Sequence, residues 1–217
     1  MKCNVCGMDY GLSHNCSGIA PLMTAEEAAP PPTGFSPGYY LGLAFNIARW
    51  DHIAIRRASR DSNAIYYAAF FWIAAATIVL IATALSRTLA ASRVSRLSGP
   101  AMVITVVIGM SFGLALMALL TFIQLGLCHL MAKWFFGGSG SYMGVMRPLL
   151  LGWFVNCLIL IPVAGTLAAA IAWTAVLMMV FEEVDGIGRL QAFGISAGIN
   201  FCFLVLQFMM TPVTRHL

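Results

Sequence analysis

The sequence predicts an all-α integral membrane protein, and three observations lead to that fold class. First, no Asp or Glu occurs between Ser62 and Phe181, a run composed mostly of Ala, Leu, Ile, Val, Phe, Met and Gly. Second, the 217-residue chain is 60% hydrophobic and only 9% charged, with a mean hydropathy of +0.87. Third, the sequence shows no barrel-like alternation of apolar and polar residues. Because lipid offers no partner for a free backbone N–H or C=O, helices are the expected spanning form.

Five membrane spans are expected. A spanning helix needs about 20 predominantly apolar residues to cross about 30 Å of hydrocarbon. The Gly99-Pro100 pair, Pro162 and Gly165 break the apolar run. The stretch from Pro148 to Pro162 is short for a span, so the third span is expected to begin near Met143. The predicted spans are residues 64–85, 102–130, 143–162, 164–181 and 190–210, within a membrane domain of residues 64–211.

The distribution of basic residues predicts a cytoplasmic N-terminus and an outer C-terminus. Lys and Arg near span ends concentrate on the cytoplasmic side. With the N-terminus inside, eight basic residues lie inside and four outside, although the Arg87–Arg96 loop argues for the reverse. The first residues contain no apolar stretch of the kind found in a cleaved signal peptide, so the span at Ala64 is expected to act as an uncleaved anchor. The inside set is Lys2, Arg49, Arg56, Arg57, Arg60, Lys133, Arg147 and Arg189; the outside set is Arg87, Arg93, Arg96 and Arg215.

Residues 1–18 form a Cys/His cluster with the composition of a zinc site. The pattern is Cys3-x2-Cys6 followed by His14-x-Cys16. Zinc prefers four thiolate or imidazole ligands in a tetrahedron, and these four residues supply that number. A site closed in this way is structural, with no open position for catalysis. A redox Cys-x-x-Cys, an iron–sulfur or other metal site, and a zinc shared between two chains are the alternatives.

Two further segments separate this cluster from the membrane domain. Residues 19–38 form a linker containing Pro30-Pro31-Pro32, which favours an extended and semi-rigid conformation. In residues 39–63, apolar side chains recur at helical spacing, which predicts an amphipathic helix in the headgroup layer; an ordinary connector is the alternative. The basic residues expected to face anionic lipid are Arg49, Arg56, Arg57 and Arg60.

Glycine pairs four residues apart predict helix packing faces. One pair is Gly109 and Gly113, and the other is Gly194 and Gly198. The second pair also fits the G-x-S-x-G string of serine hydrolases, but no acidic residue follows Asp185 to complete a triad. The spans contain almost no ionisable group, which argues against an ion-coupled transporter. The positive charge lies largely on loops, so it reports topology and not nucleic-acid binding; no enzyme is expected.

The segment from Cys128 to Tyr142 resembles the His-apolar-apolar-Ala…Gly-Gly-x-Gly-Ser-Tyr signature of the Yip family of Rab-interacting, five-span membrane proteins. The similarity looks closest to the prokaryotic branch and extends through Pro148 and Pro162 to the acidic turn at residues 182–186. It covers about Ala64 to Met210. The residues that carry the motif here are His129, Gly137, Gly138, Gly140, Ser141 and Tyr142.

The resemblance implies a non-enzymatic role in membrane organisation or trafficking, exercised through protein partners. The N-terminal tail of the family is typically a cytoplasmic interaction segment. The Cys/His cluster departs from the eukaryotic pattern, so binding of Rab GTPases is not carried over. The excess of Arg over Lys fits a prokaryotic cytoplasmic membrane.

We therefore expect a membrane scaffold or adaptor with a zinc-stabilised cytoplasmic tail that recognises a protein partner. The lipid bilayer is its main solvent, and the small residues on its helices allow a homo-oligomer. A small permease or channel component is one alternative. A zinc- or redox-responsive membrane sensor is the other.

Overall fold

The protein is almost entirely helical in a computed structural model that describes residues 31–32, 34–91, 99–162 and 164–210. The chain divides into two units, Met1–Gly34 and Phe35–Leu217, and all the helices described belong to the second. These residues form seven helices and no β-strand. The helices are α1 (Pro37–Ala48), α2 (His52–Arg60), α3 (Ala64–Ala91), α4 (Gly99–Phe136), α5 (Tyr142–Gly152), α6 (Gly165–Val180) and α7 (Arg189–Met210).

Two of these helices continue into tighter or wider turns. A 3₁₀ segment, Trp153–Leu160, prolongs α5, and a π-helical segment, Phe181–Asp185, prolongs α6. The 3₁₀ segment packs against α6 after the turn at Pro162, so the two form a helical hairpin. This hairpin agrees with the prediction that Pro162 and Gly165 divide two spans.

Four helical stretches in the described part of the chain are long and apolar enough to cross a membrane. They are Ala64–Ala84, Val107–Phe136, Tyr142–Leu160 and Gly165–Asp185. The apolar stretch of α7, Arg189–Val205, is shorter. The prediction of an all-helical membrane protein is therefore supported by four helices of sufficient length. Helix α4 ends at Phe136, six residues beyond the predicted end of the second span at residue 130.

The segment 39–63 forms two helices and not one. Leu43, Ile47 and Ala54 are buried, as their spacing predicts, but Trp50 is half-exposed and adopts a left-handed backbone conformation with φ of 64°. The side chain of Asp51 then accepts hydrogen bonds from two backbone N–H groups of the next turn and starts α2. The apolar spacing continues across residues 49–51 and therefore does not reveal the break. The break comes from Asp51, because short polar side chains favour helix starts over helix interiors.

Helix α1 packs against the membrane helices. The ring of Phe45 lies 5.0 Å from that of Phe154, measured between centroids. A Cβ atom added to Gly152 would lie 2.9 Å from Cγ2 of Ile47, so the two helices approach closely at that glycine. The tight contact makes α1 part of the buried core of the second unit.

Candidate functional site

Three polar segments meet at one end of the helical bundle. They are α2, the loop of residues 137–141 between α4 and α5, and the π-helical segment Phe181–Asp185. We call these three segments the polar cap. At this end α4 and α6 finish and α3, α5 and α7 begin, so the cap closes the apolar bundle on one side.

The glycine-rich loop of the cap lies against the acidic segment. The N–H of Gly138 donates to the carbonyl of Ala132, and the N–H of Ser139 donates to the carbonyl of Asp185, both at 3.0 Å. A Cβ atom on Gly140 would lie 2.5 Å from Oδ1 of Asp185, closer than side chains tolerate. Gly137 has a φ of 69°, which favours glycine. The motif glycines thus permit both a sharp turn and a close contact with the acidic segment.

The carboxyl group of Asp185 is buried beside His129. Asp185 Oδ2 lies 3.5 Å from Nδ1 of His129, and the ring of Tyr142 packs 5.6 Å from the imidazole. Neither carboxyl oxygen of Asp185 has a hydrogen-bond partner among the described residues, and the same is true of Nδ1 of His129. A buried carboxyl group without partners is costly when it is ionised. The two side chains therefore form a close polar contact at the edge of the apolar bundle.

Glu183 joins the acidic segment to α2. Its Oε1 lies 2.5 Å from Nδ1 of His52, and its Oε2 accepts a hydrogen bond of 2.8 Å from Nη1 of Arg56. The Glu183 side chain is only 14% exposed, so water screens these contacts less than those of a surface pair. We call this three-residue contact the Glu183 clamp.

A second contact fixes the end of α2 to α5. Nη1 of Arg147 donates a hydrogen bond of 2.8 Å to the carbonyl of Ser59, near the C-terminal end of α2. Such a carbonyl has no partner within its own helix, and a cation there also interacts favourably with the helix dipole. Glu182, the residue before Glu183, forms a separate ion pair in which its carboxylate lies 2.9 Å from Nε of Arg189. The Arg189 side chain is 62% exposed, so water screens this pair.

Helix α1 is held to the start of α3 by aromatic and polar contacts. The Tyr40 hydroxyl donates a hydrogen bond of 2.6 Å to Oδ2 of Asp61, and the Tyr40 ring stacks on Tyr67 with centroids 3.9 Å apart. The Tyr67 hydroxyl in turn accepts the N–H of Ser36. Burial raises the pKa of the Tyr40 hydroxyl above its ordinary value of about 10, and the hydrogen bond to Asp61 raises that pKa further.

Neutral amides form a separate polar group in the middle of the bundle. Nε2 of Gln124 donates to Oδ1 of Asn200 at 3.1 Å, and Nδ2 of Asn200 donates to Oγ1 of Thr174 at 2.7 Å. The contact joins α4, α6 and α7 across 76 residues of sequence. Such interhelical amide bonds are common in membrane bundles.

The structure brings some of the sequence-predicted residues together and leaves others apart. The motif residues from His129 to Tyr142 meet at the polar cap, and Arg56 joins them through Glu183, whereas Arg49 and Arg60 are exposed. Cys3, Cys6, His14 and Cys16 lie outside the described residues. Within the described ranges, no group of three or more His, Cys, Asp or Glu residues is arranged to hold a metal.

Among the described residues, one of the four glycines predicted to pack, Gly113, comes close to another helix. A Cβ atom on Gly113 would meet the Leu80 side chain at 3.3 Å, so α3 and α4 pack there. Added Cβ atoms on Gly109, Gly194 and Gly198 would meet nothing within 4 Å. Whether these three glycines form packing faces, in the bundle or in an oligomer, stays a prediction.

Sequence reasoning assigned no contact to several residues in or beside the cap, namely Tyr40, His52, Asp61 and Glu183. One signal in the sequence points to them. The chain has eight acidic residues, and the five that follow residue 50 all lie around the cap: Asp51, Asp61, Glu182, Glu183 and Asp185. In the sequence these five acids fall into two short groups, residues 51–61 and 182–185, with none between. Two acidic groups at the ends of long apolar runs indicate segments that lie at the ends of the helices.

No family model, curated protein or solved structure matches this chain.

Proposed function

We propose that the chain is a non-enzymatic, five-span membrane scaffold or adaptor, similar to the Yip family, that presents a zinc-stabilised N-terminal segment to a protein partner. The proposal places it in a prokaryotic cytoplasmic membrane with the N-terminus inside. The Glu183 clamp is the observation that supports this most strongly. It ties α2 to the bundle end, so the basic side chains of α2 belong to a fixed surface and not to a loose connector.

The charge distribution supports the proposed orientation. The basic side chains of α2 lie at the polar cap, as do Arg147 and Arg189 through their bonds to Ser59 and Glu182. Lys133, in the last turn of α4, is close enough to act on Asp185 electrostatically. Because Lys and Arg near span ends favour the cytoplasmic side, a cytoplasmic cap and an odd number of spans put the C-terminus outside.

The proposed zinc ligands are Cys3, Cys6, His14 and Cys16, three thiolates and one imidazole. A zinc held by all four would order a short segment that has too few apolar residues to fold alone. The proposed role of the metal is therefore to shape a recognition surface. A protein partner on the cytoplasmic side would recognise that surface, and the basic residues of α2 would contribute contacts of their own.

The test compares Cys3→Ser/Cys6→Ser with the matched variant Cys157→Ser/Cys202→Ser, which alters cysteines within the helices. Zinc per chain is measured in detergent-purified protein, and partners are crosslinked in native membranes and recovered with the chain. We expect one zinc per chain and a reproducible partner, both lost only in the tail variant. If Cys3→Ser/Cys6→Ser loses the zinc but partner recovery is unchanged, the zinc segment does not recognise the partner and the proposal is refuted.

A second measurement tests the contribution of the clamp. Glu183→Gln is expected to keep the zinc and to reduce partner recovery, because α2 is released while the tail stays intact.

Alkaline phosphatase fusions test the proposed orientation, because this enzyme is active only outside the cytoplasm. A fusion after Leu217 is expected to be active, and an insertion at Ser139 is expected to be inactive. The opposite pattern would overturn the proposed orientation.

A further inference from the structure

A cavity of about 530 Å³ lies in the middle of the bundle, away from the polar cap. It is formed between α4, the 3₁₀ segment, α6 and α7. We call it the amide cleft, after the three amides and two hydroxyls that supply its polar lining: Gln124, Asn156, Asn200, Thr121 and Thr166.

The amide cleft lies well inside the apolar helices, far from the charged residues at the polar cap. Gln124 precedes Lys133 by nine residues along α4, and at 1.5 Å per residue the two are about 13 Å apart along the helix axis. Asn200 follows Arg189 by eleven residues along α7, a distance of about 16 Å. A hydrocarbon core is about 30 Å thick, so a bilayer around these helices would place both amides about halfway across it.

The two central amides are held in one orientation and retain unused hydrogen-bonding capacity. Gln124 is 9% exposed and Asn200 is 8% exposed. Both N–H groups of Asn200 are used, by the carbonyl of Ala170 and the hydroxyl of Thr174. The carbonyl oxygen of Gln124 accepts no hydrogen bond from the described residues, although Gln124 lines the cleft. A carbonyl oxygen without a hydrogen bond is unfavourable in an apolar setting, so a ligand that donates to it is favoured.

The rest of the lining is apolar and uncharged. The indole rings of Trp153 and Trp173 form part of the wall. Leu116, Leu120 and Leu204 border the cleft and are exposed on the surface that faces lipid. No Asp, Glu, Lys, Arg or His lies among the lining residues, and an unpaired charge would be strongly unfavourable at this depth.

We propose that the amide cleft binds a neutral amphiphile that enters from the bilayer. The hydroxyl group of its uncharged head donates to the carbonyl oxygen of Gln124, and an apolar chain extends past the exposed leucines into lipid. The volume suits one such head with part of its chain, since ligand cavities typically span about 300–1,000 Å³. This site is independent of the proposed zinc tail and of the partner that the tail binds.

The tryptophans of the cleft provide the measurement. The protein, with Trp50 and Trp134 replaced by Phe, is reconstituted into phosphatidylcholine vesicles. A diacylglycerol brominated on one acyl chain is then added, and tryptophan fluorescence is followed. We expect quenching that saturates at low mole fraction, because bromine is brought to Trp153 and Trp173 by binding. Phosphatidylcholine and phosphatidic acid brominated on the same chain are expected to quench only in proportion to their amount.

Two variants separate binding from folding. Gln124→Leu removes the amide at nearly constant volume and is expected to weaken the saturable binding about tenfold, the equivalent of one hydrogen bond. Thr166→Phe fills the cleft from its exposed rim without disturbing the buried amides and is expected to abolish saturation. Gln191→Leu, which alters an exposed amide at the start of α7, is the matched control and keeps the wild-type curve.

Three results would overturn the proposal. Wild-type quenching that rises linearly with the brominated diacylglycerol would mean that only bulk lipid reaches the cleft. Saturation that persists unchanged in both Gln124→Leu and Thr166→Phe would put the ligand elsewhere. Equal saturation by brominated phosphatidic acid would show that the site does not select against charge.

Discussion

The polar cap and the amide cleft both place polar side chains in an apolar protein, but they use different chemistry. The cap pairs full charges, such as Glu183 with Arg56, at the end of the bundle. The cleft uses neutral amides, Gln124 and Asn200, in the middle of the bundle. The difference follows from desolvation, because an ion loses far more hydration free energy than an amide when it enters hydrocarbon. In this protein, ion pairs therefore hold segments together at the end of the bundle, and hydrogen bonds between neutral amides hold helices together in its interior.

The largest expected effect is that of a side chain at Gly140 in the cap. Gly140→Ala would drive a Cβ atom against Asp185 Oδ1 and the carbonyl of Val184, at 2.5 and 2.7 Å. We expect the free energy of unfolding to fall by about 3 kcal/mol, as in overpacked cores. It is measured by SDS titration in mild detergent. Gly109→Ala is the control and should leave stability within about 0.5 kcal/mol, because no atom lies near the added group.

The next effect compares two neighbouring carboxylates. Glu183→Gln weakens bonds to both His52 and Arg56 in a partly buried setting, and we expect a loss of about 2 kcal/mol. Glu182→Gln removes a pair with the exposed Arg189, where water screens the charges, and should cost much less. Limited proteolysis between α1 and α3 should accelerate only in the Glu183 variant. Equal acceleration in both would mean that the clamp does not hold α2.

The third effect depends on pH. Tyr40→Phe removes the hydrogen bond to Asp61 and should cost about 1.5 kcal/mol at neutral pH. The folded protein holds the Tyr40 proton more tightly than the unfolded chain does, because the pKa is raised on folding. The stabilisation is therefore complete below pH about 10 and declines as pH rises past that value. The stability difference between wild type and Tyr40→Phe should shrink in that alkaline range, and a constant difference would contradict the assignment.

The smallest effect is expected in the cleft. Gln124→Leu removes one interhelical hydrogen bond and should lower the free energy of unfolding by about 0.6 kcal/mol. Added salt should leave this change unaffected, whereas it should reduce the effect of Glu183→Gln because ions screen charges and not amides. Equal salt sensitivity of the two variants would remove the proposed distinction between cap and cleft.

Most of the fold was accessible from the sequence, because hydrophobic length and breaker residues act locally. The helical hairpin around Pro162 and the turn after α4 are where the pattern predicts them. The division of residues 39–63 into α1 and α2 was not foreseen. It depends on the cap formed by Asp51, whose preference competes with an apolar spacing that continues across the break.

The candidate site was predicted only in part. The glycine motif with His129 was identified, but its contact with Asp185 was not, since the two residues are 56 positions apart. The Glu183 clamp was missed for a similar reason, because His52 and Glu183 are separated by 131 positions. A spacing rule relates residues within one helix and gives no information on which ends of different helices meet.

The sequence by itself determined the helical class of this protein and the segments that are long and apolar enough to cross a membrane. Apolar runs without acids belong in lipid because each buried charge is costly, and this requires no knowledge of tertiary contacts. The tertiary structure alone decided that Glu183 joins His52 and Arg56 and that Gln124 meets Asn200. Those pairings depend on how the helices pack against one another, which is set by the summed contacts of many apolar side chains and not by any local pattern.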